Sequence, residues 1–97
     1  MLESKFQSRL IREIEERLPG SIVLKNDPTY IQGIPDLIVL YKDKWAALEI
    51  KKSASAAYRP NQEYYVEKMN NMSFSAFVFP ENKEDVLNAM EQALQHR

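Results

Sequence analysis

The sequence predicts a small α/β domain in which helices cover a central β-sheet. Apolar residues recur at helical spacing near both ends of the chain, and four short apolar runs alternate with these segments. The only two glycines, Gly20 and Gly33, stand at the boundaries between elements. The resulting order is helix, three strands, helix, strand, helix, which is typical of a layered α/β fold. With 97 residues, the chain is expected to form one domain over residues 1–97.

The three predicted helices follow from spacing and from their end signals. Apolar residues recur every four positions from Leu2 to Leu18, where Pro19 and the glycine after it end the helix. A second helix is expected to begin near Pro60, because proline suits the first helical position. Its buried side chains should be Tyr65, Val66 and Met69. Asn82 is expected to cap the last helix, with Asp85 in the capping-box position. Its inner stripe should be Val86, Leu87, Met90 and Leu94.

The strand predictions rest on short runs rich in β-branched and aromatic residues. These runs are Ser21–Lys25, Asp36–Tyr41, Trp45–Lys51 and Ser73–Phe79. A short polar turn, KDK, separates the second run from the third. We therefore expect these two strands to form an antiparallel hairpin.

Composition excludes several classes of protein. The chain has no cysteine, so disulfide frameworks and thiolate metal sites are excluded. Its apolar runs are far shorter than the roughly 20 residues that span a bilayer, and no signal peptide is visible, so a cytoplasmic location is expected. The net charge of −1 provides no overall attraction to nucleic acid. Any nucleic-acid binding would therefore depend on local basic residues.

Charged side chains interrupt the most apolar part of the sequence, "GIPDLIVLYKDKWAALEIKK". Side chains two apart in a strand share a face, so Glu49 and Lys51 emerge together. Asp36 begins the preceding strand, and an antiparallel hairpin would bring it beside them. Two carboxylates so placed form an oxygen site of the kind that Mg²⁺ prefers, and Lys51 could stabilise developing negative charge on a phosphate. The alternative is that these groups form an ordinary ion pair on an exposed strand face.

Two further polar residues occupy unusual positions. Glu3 falls in the middle of the apolar arc of the first helix, although an acidic residue in a first helical turn is also favoured by the helix dipole. Gln62 heads the inner stripe of the second helix, from which it could contact a phosphate or a metal-bound water. The pattern alone favours the alternative, a partly exposed first-turn residue.

Together these residues resemble the PD-(D/E)xK nuclease superfamily, and most closely a standalone VRR-NUC domain. The motif is present as Pro35-Asp36, twelve intervening residues, and Glu49-Ile50-Lys51. The family also carries an acid on its first helix, a G-x-PD entry to the second strand and a glutamine on the following helix. Glu3, Gly33 and Gln62 match these positions. The resemblance implies a restriction-endonuclease-like αβββαβ core with a mixed central sheet flanked by helices, plus a C-terminal helix.

The resemblance also implies an activity and a set of roles. It implies an endodeoxyribonuclease that hydrolyses phosphodiester bonds with Mg²⁺ or Mn²⁺ and acts as a homodimer on branched DNA such as Holliday junctions. The implied metal ligands are Glu3, Asp36 and Glu49, and the implied catalytic residues are Asp36, Glu49, Lys51 and Gln62. The basic residues expected to contact DNA are Lys52, Arg59 and Lys25.

Other functions remain open at the level of sequence. The chain could be a non-catalytic module that binds DNA or protein on the same scaffold, or a nuclease for flaps or single strands. Tyr58, Tyr64 and Tyr30 are candidates for stacking on bases, although tyrosines at such positions also serve as packing residues. Candidate residues for a dimer interface are Tyr30, Ile31 and Ile34.

Overall fold

The structure is a computed structural model that describes residues 3–95. Its helices are α1 (Glu3–Arg17), α2 (Pro60–Met72) and α3 (Lys83–Gln95), and its strands are β1 (Ile22–Lys25), β2 (Leu37–Tyr41), β3 (Lys44–Ile50) and β4 (Phe74–Val78). Each predicted element is present, with ends within one or two residues of the prediction. Leu2, the predicted first residue of α1, lies outside the described residues. Within residues 3–95, no helix is both long and apolar enough to cross a membrane.

The four strands form one mixed sheet in the order β1-β2-β3-β4. β1, β2 and β3 are antiparallel neighbours, and β4 lies parallel to β3. In the β2–β3 hairpin, Leu37 lies opposite Leu48. Continuing this register by one position places Asp36 opposite Glu49, on the other face of the sheet from the two leucines. The hairpin predicted from the sequence is therefore confirmed.

The main apolar core lies on one face of the sheet. α1 and α3 cover this face, and their inner residues pack against Leu37, Val39, Ala46, Leu48, Ile50 and Val78. Because neighbouring side chains in a strand alternate between faces, Glu49 points away from this core and toward α2. α2 packs on β3 and β4 through the buried Val66, whereas Tyr65 and Met69 are only partly buried.

The expected side-chain cap at the start of α3 is wrong in one respect. The Asn82 carbonyl oxygen accepts the N–H of Val86, as an N-cap residue should. The Asn82 side chain, however, turns back toward β4, where its Oδ1 accepts the N–H of Phe79 at 2.8 Å and its Nδ2 donates to the Phe77 carbonyl at 3.1 Å. It is therefore occupied by strand groups rather than by the first turn of the helix.

Asparagine side chains thus occupy the outer edge of β4. Besides the bond from Asn82 to Phe77, the Oδ1 atom of Asn70 accepts the N–H of Ser75 at 3.0 Å. Ser75 and Phe77 direct their peptide groups away from β3, so these two bonds satisfy groups that an unpaired edge would expose. At the opposite edge, among the described residues, no such side-chain bond reaches β1.

Arg17 anchors an ion-pair network between α1 and α3. Its guanidinium contacts Glu84 at 2.7 Å and both Glu13 and Glu91 at 3.3 Å, and it also donates to Asn88. Lys83 adds a second cation at 2.8 Å from Glu13, and its hydrogen bond lowers the pKa of that carboxyl. The network accounts for an arginine in the inner arc of α1, where the helical pattern predicts an apolar residue.

We expect Arg17→Ala to lower the free energy of unfolding by about 1–2 kcal/mol, because it removes charge-assisted hydrogen bonds and leaves three carboxylates close together. Urea unfolding at neutral pH measures this. Arg12→Ala is the matched control, since Arg12 is an exposed arginine on the same helix. Equal losses for the two variants would contradict a structural role for the network.

Candidate active site

A cleft of about 480 Å³ opens where β2 begins and β3 ends. Its lining residues are Glu3, Asp36, Glu49, Ile50, Lys51, Lys52, Ala56, Ala57, Arg59 and Gln62. The start of α1, the β2–β3 hairpin and the first turn of α2 therefore meet at one place. All four predicted catalytic residues, and Glu3 with them, line this cleft.

Asp36 is fixed in the cleft by the neighbouring strand. Its Oδ2 atom accepts the backbone N–H of Ile50 at 2.9 Å. The backbone around Asp36 is held as well. Asn26 donates its backbone N–H to the Asp36 carbonyl and its side-chain amide N–H to the Pro35 carbonyl. One oxygen of the Asp36 carboxylate is thus used by the protein.

Gln62 joins Glu49 to Lys51 through the two ends of its amide. Its Nε2 donates to Glu49 Oε2 at 3.0 Å, and its Oε1 accepts from Lys51 Nζ at 2.6 Å. The same Oε1 is 3.4 Å from the backbone nitrogen of Arg59, the residue before α2. Gln62 is the third residue of the helix, a position from which a side chain can reach back to the N-cap. A single amide thus fixes the acid, the lysine and the helix start relative to one another.

Lys51 is buried, with only 7% of its surface exposed. Of the three N–H donors of its ammonium, one bonds to Gln62 and a second to the Ala57 carbonyl at 2.9 Å. Both acceptors are uncharged. The positive charge is therefore held in place without being neutralised by a direct ion pair, and one donor remains for an incoming anion.

The pKa of Glu49 is raised from its ordinary value of 4.5 to about 8. Burial of the carboxylate is the largest cause, and repulsion from Asp36 adds to it, whereas the charge of Lys51 acts in the opposite direction. The nearby positive charge of Lys51 thus does not offset the burial of Glu49 and its repulsion by Asp36. A divalent cation would supply further positive charge, and carboxylate oxygens are the ligands that Mg²⁺ and Mn²⁺ take.

The cleft residues fit a divalent cation with two protein carboxylates rather than three. Asp36 Oδ2 accepts the Ile50 N–H and Glu49 Oε2 accepts the Gln62 amide, and the two carboxylates lie close enough to repel each other. Glu3 is exposed on the cleft wall, and residues 3–95 contain no group of three carboxylate, histidine or cysteine side chains close enough to hold one ion. Glu3 would therefore act through water or after a change of rotamer, which keeps its predicted role as a ligand a hypothesis.

The predicted DNA-contacting residues divide into two groups. Lys52 and Arg59 line the cleft and have exposed side chains. Lys25 is exposed at the end of β1 and is not among the cleft-lining residues. No sequence pattern pointed to the Ala57 carbonyl or to Asn26. The first is a backbone group, and the second bonds to the carbonyls of Pro35 and Asp36, which only the fold brings next to it.

Gly33 holds the loop before Asp36 against the first turn of α2. Its φ angle is +89°, and a Cβ atom built there would lie 2.8 Å from the backbone carbonyl carbon of Asn61. Only a residue without a side chain permits this approach. The contact sets the distance between Asp36, which follows the loop, and Gln62, which follows Asn61.

The fold is similar to that of two structures described as VRR_NUC domains, and the likeness extends over most of the chain. A structure described as a VRR_NUC domain protein superposes with a TM-score of 0.69 at 14% identity, covering 98% of this chain and 89% of the other. A second, described as a VRR_NUC domain, gives 0.62 at 22% identity and covers 84% and 92%. The structural resemblance inferred from the motif is therefore confirmed for the fold.

A third similar structure is Hjc from Archaeoglobus fulgidus, described as a Holliday junction resolvase from an archaeal hyperthermophile. It superposes with a TM-score of 0.54 at 13% identity, covering 78% of this chain and 67% of Hjc. Neither a protein-family model nor a curated protein sequence matches the chain.

We expect the metal-free protein to lose stability as the pH rises from about 4.5 to about 8. The raised pKa means that folding favours the protonated form of Glu49. Its stabilising contribution is therefore complete below the unfolded pKa and is lost as the pH passes through the folded one, at about 1.4 kcal/mol per unit of pKa difference. Urea unfolding in EDTA across this range measures the slope. Glu49→Gln should remove this part of the slope, and an unchanged slope in that variant would contradict the assignment.

We expect Gly33→Ala to destabilise the protein more than Gly20→Ala. Both glycines have φ near +90°, but a Cβ at Gly20 meets nothing within 4 Å. Gly20→Ala should therefore cost only the backbone strain, about 1 kcal/mol, whereas Gly33→Ala should cost at least about 1 kcal/mol more because α2 has to shift. Chemical denaturation of both variants gives the difference. Equal losses of stability would show that the backbone at Asn61 can move away from a Cβ at position 33 without a measurable cost.

Proposed function

We propose that this chain is a metal-dependent endonuclease that hydrolyses phosphodiester bonds in branched DNA, such as Holliday junctions, as a homodimer. The observation that carries the proposal is the hydrogen-bonded arrangement of Glu49, Gln62 and Lys51 beside Asp36 in one cleft. Such an arrangement combines a cation site with a fixed ammonium donor. The likeness to VRR_NUC domain structures and to a Holliday junction resolvase supports both the reaction and the substrate class.

Asp36 and Glu49 would hold Mg²⁺ or Mn²⁺ through their carboxylate oxygens, and the Ile50 N–H and the Gln62 amide fix the orientation of the two groups. When bound, the cation polarises the phosphoryl group and lowers the pKa of a coordinated water. The protein's own contribution is to set the geometry. Because the two carboxylates are each tethered by a donor, they need little reorganisation on binding.

Lys51 would bind a non-bridging oxygen of the scissile phosphate with its remaining N–H donor. It stabilises the negative charge that increases on the phosphate as the attacking oxygen approaches, and it does so in a buried position where this interaction is strong. Gln62 keeps the ammonium from pairing with Glu49. Water would attack the phosphorus in line with the bond to the 3′ oxygen, which leaves. The product then carries a 5′-phosphate, as the resemblance implies.

Substrate binding would depend on local rather than overall charge. Arg59 and Lys52 flank the cleft and are placed to contact the phosphates next to the scissile one. Since the net charge is −1, affinity should be modest and its salt dependence shallow. A second protomer would add a further set of contacts on the opposite strand of a junction.

Exposed apolar side chains support association into a dimer. Tyr30 is 86% and Ile31 is 36% exposed, and together with Ile34 they line a cavity of about 380 Å³ before the motif. A second group of exposed apolar side chains, which the sequence did not single out, lies on the face of the sheet that α2 packs on. α2 does not cover the neighbouring strands β1 and β2 on this face. These exposed residues are Ile22, Leu24 and Leu40.

We expect the protein to nick a labelled four-way junction in Mg²⁺ or Mn²⁺ and to cleave a linear duplex of matching sequence far less. EDTA should abolish cleavage, and Lys51→Ala should reduce it by about 10²-fold or more. Asp36→Asn is a sharper variant, because the amide oxygen can still accept the Ile50 N–H while the charge is lost. It should fold normally and be inactive.

Symmetric nicks in the junction, together with a protein mass by light scattering of twice the protomer mass, would support a dimeric junction nuclease. Efficient cleavage of flaps or single strands, without cleavage of junctions, would support the proposed nuclease activity and contradict the proposed substrate. Full activity in purified Asp36→Asn would refute the assignment of the site.

A further inference from the structure

Tyr58 forms an aromatic stack beside the cleft. It lies between Ala57 and Arg59, which line the cleft, and its ring stacks on Phe77 with centroids 4.5 Å apart and planes inclined by 22°. Tyr58 is 41% exposed. One face of its ring is thus covered by Phe77, while much of the remaining surface is open to solvent.

The lysine of the cleft lies at the side of this stack. Lys51 Nζ is 5.4 Å from the Tyr58 centroid and 5.8 Å from the Phe77 centroid. Because these two distances are nearly equal, the ammonium lies beside the pair and not over the outer face of Tyr58. The ammonium therefore does not cover the outer face of the 41% exposed Tyr58, whose ring centroid is 5.4 Å from the atom that would bind the scissile phosphate.

Neighbouring strands position the stack relative to the acidic residues. Phe77 on β4 is the register partner of Glu49 on β3, so both side chains lie on the α2 side of the sheet. Stacking on Phe77 also restrains the Tyr58 ring before any ligand arrives, which reduces the entropy lost on binding. A restrained ring with one open face, next to a phosphate site, is a suitable platform for a nucleic-acid base.

We propose that the outer face of Tyr58 stacks on an unpaired base of the nucleotide next to the scissile phosphate. The substrate class is then nucleic acid whose bases are unpaired at the cut, as at the centre of an open junction, a fork or a single strand. A fully paired duplex would first have to unstack a base. This inference rests on the proposed function, since Lys51 defines where the phosphate lies.

The other exposed tyrosines do not share this geometry. Tyr64 is 55% exposed on α2, where its ring meets Tyr65 edge-on and lies near Lys68. Tyr30 is more exposed still and, within residues 3–95, has no stacked ring partner. Neither lies beside Lys51, so Tyr64→Leu serves as a matched control for Tyr58→Leu.

The test compares two forked DNA substrates, one with a base and one with an abasic nucleotide at the unpaired position beside the cut. Tyr58→Leu should lower kcat/KM about tenfold on the substrate with the base and about twofold or less on the abasic one, because base stacking is lost only from the first. Tyr58→Phe should retain the preference for the base, and Tyr64→Leu should behave as wild type. Equal losses on both substrates, or no loss on either, would overturn the proposal.

A binding measurement separates this proposal from the proposed function. 2-Aminopurine at the unpaired position should be quenched on binding to Glu49→Gln, which keeps the stack but should not cleave. The quenching should be lost when Tyr58→Leu is added and kept with Tyr58→Phe. A wild-type protein that cleaves none of the substrates would refute the nuclease, while the quenching would still decide the stacking. No quenching in Glu49→Gln would overturn the stacking even if the wild type cleaves.

Discussion

The site depends on the register of a single β-hairpin. Leu37 pairs with Leu48, and this alignment alone brings Asp36 opposite Glu49 on the face away from the main core. A slip of one residue would move one of the carboxylates to the apolar face. The register is fixed on that face by buried leucine, valine and alanine side chains. The apolar core therefore determines the position of the charged residues that it does not contact.

Next to the hairpin, the uncharged amide of Gln62 lies between a carboxylate and an ammonium group. Gln62 bonds to Glu49 and to Lys51 and so holds the two apart, although a direct ion pair would be the simpler arrangement in a buried site. A direct pair would use up the acid as a ligand and the ammonium as a donor. The amide instead leaves Glu49 with an unfavourable charge, which its raised pKa records. In the proposed function, this arrangement keeps Glu49 available to a cation and Lys51 available to a phosphate.

The sequence was sufficient to predict those parts of the site that periodicity determines. Alternation along β3 placed Glu49 and Lys51 on one face, and the short polar turn indicated the hairpin that brings Asp36 to them. Helical spacing put Gln62 at the head of the inner stripe of α2, but only the family resemblance favoured a place for it in the site. These predictions succeeded because side-chain direction in regular elements follows from position alone.

Other features depended on contacts that no local pattern encodes. The pairing of Gln62 with two partners, the Ala57 carbonyl that binds Lys51 and the fit of Gly33 against Asn61 all join segments that are distant in sequence or irregular in backbone. Arg17 shows the same limit, since the helical pattern alone could not indicate that three acids from two helices surround it. Asn82 shows a further limit, because an asparagine at a helix start can bond in either direction.

The asparagine bonds along β4 have a consequence for assembly. A sheet can grow by strand addition at either of its edges, and growth at both edges produces an open filament. Here the outward N–H of Ser75 and the outward carbonyl of Phe77 are already bonded to Asn70 and Asn82. Strand addition is then disfavoured at β4 relative to the β1 edge. Two copies that met through their β1 edges would form a closed, twofold pair, and the bonds along β4 would make growth beyond that pair less favourable.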